Sequence, residues 1–280
     1  MARVRVVTDS ACDIPASLAR EQGVVVVPLS IRFGSEEFVD GSTLSAEEFW
    51  RRCAGSAELP ETSAPSPGSF QEAFLAAAEE GYDGVVCVTL SGAVSATLQS
   101  ATTAAAAVAD RIPVRVVDSR LMTMGQGLVV LDAAERAASG ATLEEAEARV
   151  GELIARTRVI GVVDTLEHLE KGGRIGSARA LLGSLLSIKP VVTVVDGAVA
   201  EESKQRTRAR SLRYLADKAS GFGPLDRIAV CNGSATDIDT FVGMLAGVTS
   251  AHPLVVVDLG PVVGTHTGPG TIGLCVITGA

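Results

Sequence analysis

Val85-Val86-Cys87-Val88-Thr89-Leu90, then residues 96–109, then Val114-Arg115-Val116-Val117 form the stretch whose reading decides the fold. The first and last runs have the length of strands, and the alanine-rich segment between them has the length of a helix. Strand, helix and strand at this spacing is βαβ rhythm, which implies a mainly parallel sheet with helices on its faces.

The same rhythm extends outward on both sides. Val4 to Thr8 is a short apolar run, and Pro15 opens an amphipathic stretch to Gln22 that Gly23 closes. Val24 to Leu29 is apolar enough for a strand buried on both faces. Ser45-Ala46-Glu47-Glu48 has the form of a capping box opening a helix through Arg52. Pro67 starts another helix ending near Gly81, and Met122 to Ser139 is a helix with Gly140 as its stop. Beyond Gly140 the pattern changes. Leu143 to Thr157 is a long helix rich in Ala and Glu, and Asp196-Gly197 lies between the apolar runs Lys189–Val195 and Ala198–Ser203. An Asp-Gly pair so flanked is a strong hairpin signal.

At 280 residues the chain is too long for one ordinary core. The expectation is therefore two domains: an α/β domain over residues 1–150 and an α+β domain with antiparallel strands over 151–280. With no low-complexity linker, they should pack closely and leave a cleft between them.

Composition removes several functions. The chain is 47% hydrophobic and only 4% aromatic, so its cores are aliphatic. It carries 24 basic and 33 acidic residues, a net charge of −9, which repels nucleic acid phosphates, and few aromatic rings are present for base stacking. Cys12, Cys53, Cys87, Cys231 and Cys275 are scattered, form no CxxC pair and read as free thiols in a reducing compartment. No apolar run reaches the roughly 18 residues a membrane helix needs, and the chain runs from Met1 straight into a strand, so a cytoplasmic protein is expected.

Four polar segments stand out. Thr62-Ser63-Ala64-Pro65-Ser66-Pro67 is stiffened by its prolines, which keep Ala64 and Ser66 extended. It either presents the Thr62 and Ser63 hydroxyls in a fixed direction or simply starts a helix with Ser66 as N-cap. Residues 90–101 join a strand's carboxyl end to a helix N-terminus, where open α/β sheets bind ligands and where orphan N–H groups suit an anion. Ser95 there reads as an N-cap whose hydroxyl can also reach a ligand. Gly264-Thr265-His266-Thr267-Gly268-Pro269-Gly270 sets one imidazole in a tight, glycine-rich backbone, whereas His168 and His252 lack such a setting and read as structural. Lys171-Gly172-Gly173-Arg174-Ile175 and the later run Lys204-Gln205-Arg206-Thr207-Arg208-Ala209-Arg210 are local basic clusters in an acidic protein. They are either solvated faces or a site for phosphate or an acidic partner.

Enzyme signatures are missing. There is no GxSxG elbow, no GxxxxGK[ST] phosphate loop, no GxGxxG after a strand and no His/Cys spacing of a metal site. A Ser95–His266 nucleophile and base pair has no identifiable acid partner.

Taken in order, these segments resemble the DegV family, the fatty-acid-binding subunits of bacterial fatty acid kinase. The resemblance rests on Val7-Thr8-Asp9-Ser10, Asp40-Gly41, the segment 62–67, Val117-Asp118-Ser119, the segment 171–175, Leu182-Gly183-Ser184-Leu185-Leu186-Ser187-Ile188-Lys189-Pro190 and the segment 264–270. The family's Ser-Gly-Thr-Tyr-Gln-Ser-Ala pattern fits Ser95-Ala96-Thr97-Leu98-Gln99-Ser100-Ala101, so Ala96 stands for a glycine, and Ala64 stands where the family has Gln.

The resemblance implies a long-chain fatty acid with a buried acyl chain. Its carboxylate would meet Thr62, Ser63, Ser95, Ala96, Thr265 and His266 near the domain interface. Burying an ionised carboxylate is costly unless it is hydrogen-bonded, and hydroxyls, helix-end amides and an imidazole N–H can supply the donors. The acyl chain contributes about 0.8 kcal/mol per methylene, or on the order of 11 kcal/mol for about fourteen methylenes before ordering costs. The resemblance also implies a separate ATP-dependent kinase that phosphorylates the bound carboxylate for phospholipid synthesis, with Arg174 and Arg206 docking it or meeting the phosphoryl charge. The expected protein is thus a monomeric carrier, neither an enzyme alone nor a nucleic acid or membrane-inserted protein, with no metal or cofactor beyond the fatty acid. An acyl-ester or thioester hydrolase using Ser95 and His266 is the alternative, followed by a small-molecule binder on a related two-domain fold.

Overall fold

The computed structural model describes residues 2–56, 58–181 and 188–279, so residues 182–187 of the expected family pattern lie outside the described part of the chain. In chain order the first half comprises β1 (Val4–Asp9), α1 (Ala16–Glu21), β2 (Val25–Val27), β3 (Ser30–Phe33), β4 (Glu36–Val39), α2 (Ala46–Gly55), β5 (Glu61–Ser63), α3 (Pro67–Glu79), β6 (Gly84–Thr89), α4 (Thr97–Ala107), β7 (Val114–Asp118) and α5 (Thr123–Ala138). The second comprises α6 (Leu143–Arg156), β8 (Thr157–Val162), α7 (Glu167–Lys171), β9 (Lys189–Val195), β10 (Ala198–Gln205), α8 (Arg208–Gly221), β11 (Leu225–Gly233), α9 (Ile238–Met244), β12 (Val255–Asp258), α10 (Pro261–Thr267) and β13 (Thr271–Thr278).

The expected parallel sheet is present, in the order β2-β1-β6-β7 with every pair parallel. All six residues of β6 are buried, as its unbroken apolar run requires. Chain order turns back between β1 and β6, and the carboxyl ends of these two strands flank the crevice where such sheets bind ligands. A six-stranded sheet, β10-β9-β8-β13-β11-β12, follows in the second half and is antiparallel except for β11 with β12. Asp196 and Gly197 turn the β9–β10 hairpin with φ of 48° and 82°, the left-handed pair an Asp-Gly turn supplies.

Helix α5 holds the two sheets together. Its residues Thr123 to Ala134 are buried without a break, and a helix apolar all round must be covered all round. One side faces β1 and the other faces β11 and β13, so a single core runs from Val6 and Val88 through Leu128 and Val130 to Cys231 and Cys275. Residue 150, the expected division between domains, lies inside α6 rather than in a linker. Val150 and Leu153 of that helix are fully buried, and the second sheet begins at Thr157. Arg149 binds Asp132 of α5 at 2.9 and 3.0 Å, and Arg227 of β11 pairs with Glu135, so charges as well as packing join the halves.

Two local readings differ from the sequence expectation. A small antiparallel sheet, β4-β3-β5, which the sequence reading did not name, accompanies the parallel sheet in the first half. It places Thr62 on a strand, opposite Ile31, rather than on a free loop. At Ser45 the hydroxyl caps Glu48 N at 3.2 Å, but the Glu48 carboxylate turns to Arg51 and Arg52 instead of completing the box. The complete capping box is Thr142 with Glu145, at the start of α6.

At the end of β1 the buried Asp9 carboxylate accepts from Leu90 N at 2.7 Å, Ala11 N at 3.1 Å and Gln126 Nε2 at 3.1 Å. Burial nevertheless pushes its pKa up to about 7. These bonds tie α5 and the loop after β6 to the sheet, which fixes one wall of the site. Among the described residues no helix is long and apolar enough to cross a membrane.

Candidate functional site

A cavity of about 150 Å³ lies where the two halves meet. The first half contributes Thr62 from β5, Ala64 just after it, and Ser95 and Ala96 at the start of α4. The second contributes Arg174 after α7 and His266 from α10. The remaining wall is almost wholly aliphatic, with Leu29, Leu90, Val94, Met122, Leu169, Val199, Val262 and Val263. Met122, Leu169, Val199, Val263 and Thr267 also line a narrower inner void of about 50 Å³, whose far wall is built from Val159, Val192, Val194 and Leu259. Two voids thus adjoin, the first carrying the polar side chains and the second lined almost wholly by aliphatic ones.

Thr62 and His266, 204 residues apart in sequence, meet at 3.0 Å between Oγ1 and Nε2. Helix α10 is set against α2 by Gly264, where any side chain would collide with Phe49 and Trp50. The Trp50 indole N–H also donates to Leu259 O at 3.1 Å. Burial first, then the charges of Arg174 and His168, lower the His266 pKa to about 4, so the imidazole is neutral at neutral pH. Its Nδ1 is buried with no hydrogen-bond partner among the described residues and faces Gly172, where an added methyl would overlap the ring. With the proton on Nε2, the imidazole donates to Thr62 and leaves the Thr62 hydroxyl hydrogen directed to a third group.

Ser95 does not cap α4 as expected; Ala96 is the N-cap residue, with no side-chain bond. The Ser95 hydroxyl sits 2.9 Å from Thr97 Oγ1 and accepts from Thr97 N at 3.3 Å. Since Ser95 pairs with Thr97 and His266 with Thr62, the hydrogen bond between Ser95 and His266 that a hydrolase would use is not made. Arg174 donates from Nε to Val94 O at 3.1 Å and from Nη1 to Gly172 O at 2.8 Å, clasping the loop after β6 to the second half.

The other expected residues lie outside this cavity, although Thr265 lines the open cleft beside it. Ser63 is exposed and outside the cavity. Thr265 is buried and its hydroxyl donates to Pro261 O at 2.8 Å within α10. Arg206 is exposed beyond the end of β10. A second, open cleft of about 520 Å³ adjoins the cavity and shares Thr62, Arg174 and His266 with it. His168 and Lys171 line this outer side, together with Glu58 and Glu61. The aliphatic wall residues carried no sequence signal of their own, because a Val or Leu facing a channel has the same local pattern as one facing a core.

Comparison with known proteins follows the same lines. The model of the DegV family, a family of uncharacterised proteins, matches residues 3–279. A DegV domain-containing protein of Halalkalibacterium halodurans is 34% identical over 278 residues, 98% of each chain. One of Streptomyces coelicolor is 36% identical over 282 residues, again 98% of each. Among solved structures, a DegV family protein of Thermus thermophilus, described for its fatty acid binding, superposes with a TM-score of 0.89 at 33% identity over 99% of both chains. DegV of Bacillus subtilis, a fatty acid binding protein, gives 0.88 at 30% identity over the whole of both chains. A stearic-acid-binding protein of Eubacterium ventriosum gives 0.85 at 27% identity, over 99% of this chain and 98% of that one.

Proposed function

The chain belongs to the DegV family, and from that premise we propose that it binds a long-chain fatty acid, its carboxylate at Thr62, Ser95 and His266 and its tail in the aliphatic channel. The observation that carries the reading is that polar side chains from β5, the start of α4 and α10 line one cavity whose wall is otherwise aliphatic apart from Arg174 and Thr267. A carboxylate buried there needs several donors. The Thr62 hydroxyl, oriented by His266, is one, Ser95 is a second, and the first-turn amides of α4, which lack intrahelical partners, lie beside them. A neutral His266 adds a directed hydrogen bond without a charge that would have to be buried when the site is empty. A void of about 150 Å³ holds a group the size of benzene. A long acyl chain must therefore continue into the inner void, past Met122, whose unbranched side chain adapts readily.

The family resemblance extends the proposal to a partner. A separate ATP-dependent kinase would reach the carboxylate from the outer cleft and convert it to an acyl phosphate for phospholipid synthesis, so that this chain serves as carrier rather than catalyst. The cleft supports this reading by opening onto Thr62 and His266 and by carrying Lys171 and Arg174, cations suited to phosphoryl charge. Arg206, exposed on the second half, is proposed to contribute to docking.

Titrating the delipidated protein with oleate, palmitate and oleyl alcohol tests the binding claim. The acids should bind and the alcohol at least about tenfold less tightly, since it lacks the charge the donors serve. Equal affinity for acid and alcohol would remove the carboxylate site, and no binding of any of the three would remove the lipid. Acyl phosphate formed from ATP by the purified chain alone would overturn the carrier assignment.

A further inference from the structure

Asp13, at the turn after β1, lies outside the carboxylate site yet touches both helices that wall the acyl channel. Its Oδ2 is 2.5 Å from Thr123 Oγ1 at the start of α5, and its Oδ1 accepts from Gly260 N, just before α10, at 3.1 Å. The residue before Thr123 is Met122, and the residue before Gly260 is Leu259; Met122, Thr123 and Leu259 all line the inner void. One carboxyl group therefore fixes two chain segments that both line the inner void.

Three further features show that the arrangement is held under constraint. Thr123 has φ of 49° and Asp13 φ of 54°. A β-branched residue occupies that region only where its surroundings hold it there. Any side chain at Gly260 would overlap Asp13 Oδ1, so the backbone comes as close to the carboxyl as it can. Thr123 Oγ1 is also 3.1 Å from Cys231 Sγ on β11, which anchors the other side of the hydroxyl. The Asp13 carboxyl is enclosed, and burial pushes it well above the usual carboxylate range, toward the protonated form. The Thr123 hydroxyl and Gly260 N each donate to one of its oxygens.

We propose that Asp13 is a positioning residue for the acyl tail: by clamping Thr123 and Gly260 it sets Met122 and Leu259, and so the width of the inner channel that receives the methyl end. The proposal rests on the fatty acid reading above and adds to it a residue that never touches the carboxylate.

The test measures affinities of delipidated full-length protein for decanoate, palmitate and stearate, in the wild type, Asp13→Ala, Asp13→Asn and Thr123→Val. Decanoate reaches less far into the inner void than palmitate or stearate, so its affinity weighs the carboxylate end more heavily. Asp13→Ala should weaken stearate about tenfold and decanoate by no more than about twofold. Asp13→Asn, whose amide oxygen can accept from Gly260 N while its NH2 donates to Thr123 Oγ1, should stay within about threefold of wild type on all three acids. Thr123→Val keeps the side-chain shape and should reproduce the length-graded loss if Asp13→Ala does not fold. A loss equal for all three acids, an unchanged stearate affinity, or an Asp13→Asn as impaired as Asp13→Ala would overturn the clamp while leaving fatty acid binding in place. A wild type that binds none of the acids would instead refute the lipid reading itself, and the clamp with it.

Discussion

Replacing Thr62 by Val removes one hydroxyl from the carboxylate site and nothing else of comparable weight. The substitution is nearly isosteric, and Thr62 lies on β5 paired with Ile31, where a β-branched apolar residue is at least as well suited to the strand. Two interactions are lost: the proposed bond from the Thr62 hydroxyl to the ligand carboxylate, and the 3.0 Å contact with His266 Nε2 that orients it. A hydrogen bond to a charged group is worth about 1.5–3 kcal/mol, so the affinity for palmitate or oleate should fall by roughly ten- to a hundredfold. Isothermal titration of delipidated protein at neutral pH reads this directly, with thermal unfolding of the ligand-free protein as the control for folding. Thr62→Ser, which restores the hydroxyl, should return the affinity to within about threefold of wild type. An affinity for Thr62→Val within about twofold of wild type would mean that the carboxylate does not sit at Thr62, and the geometry built around His266 would fall with it.

Three other outcomes follow from the same structure. His266, held down to about 4 against an ordinary value of 6.5, refuses in the folded state a proton that the unfolded chain accepts between those values. The His266 contribution to stability should therefore decline as pH falls through that window, by roughly 3 kcal/mol in full, while the buried Asp9 and Asp40, raised to about 7 and about 6, contribute with the opposite sign. Urea unfolding across pH should show the His266 contribution as the difference in slope between wild type and His266→Gln; identical slopes would contradict the assignment. Asp132→Ala leaves Arg149 without its bidentate partner and removes an acid 3.8 Å from the buried Arg227, so it should cost about 3 kcal/mol in denaturant unfolding. A cost under about 1 kcal/mol would show that packing alone joins α5, α6 and β11. Arg174→Ala should raise the rate of fatty acid release in stopped-flow displacement, because its clasp on Val94 O is lost, whereas Arg206→Ala should leave release unchanged. The reverse order would exchange the roles given to the two arginines.

Local chemistry made much of the fold legible. The apolar run of β6 and the Asp196-Gly197 turn behave as their sequences require, because burial on both faces and a left-handed pair are local demands. The β3–β4 hairpin was within reach too, since Gly34, with φ of 58°, and Ser35 form a two-residue connection between strands. Helix α5 was readable as a helix but not as the layer between two sheets, because its second cover, β11 and β13, comes from about a hundred residues further along the chain. At the site, Thr62, Ser95 and His266 stood out as polar groups in an aliphatic chain. Their partners did not: which hydroxyl meets the imidazole depends on how α10 packs on α2, and nothing local to Arg174, read as a solvated cation or a phosphate or kinase contact, showed that it spans the two halves. Asp13 gave no signal at all, because its two contacts lie 110 and 247 residues away.

Organic extraction of the purified protein, with mass spectrometry of the extract and of the intact chain before and after, tests the central claim most directly. The account predicts a long-chain fatty acid in stoichiometric amount, or an empty chain that takes up added palmitate or oleate as a single adduct, with the adduct weakened in Thr62→Val. An empty extract together with no adduct from either acid would contradict it.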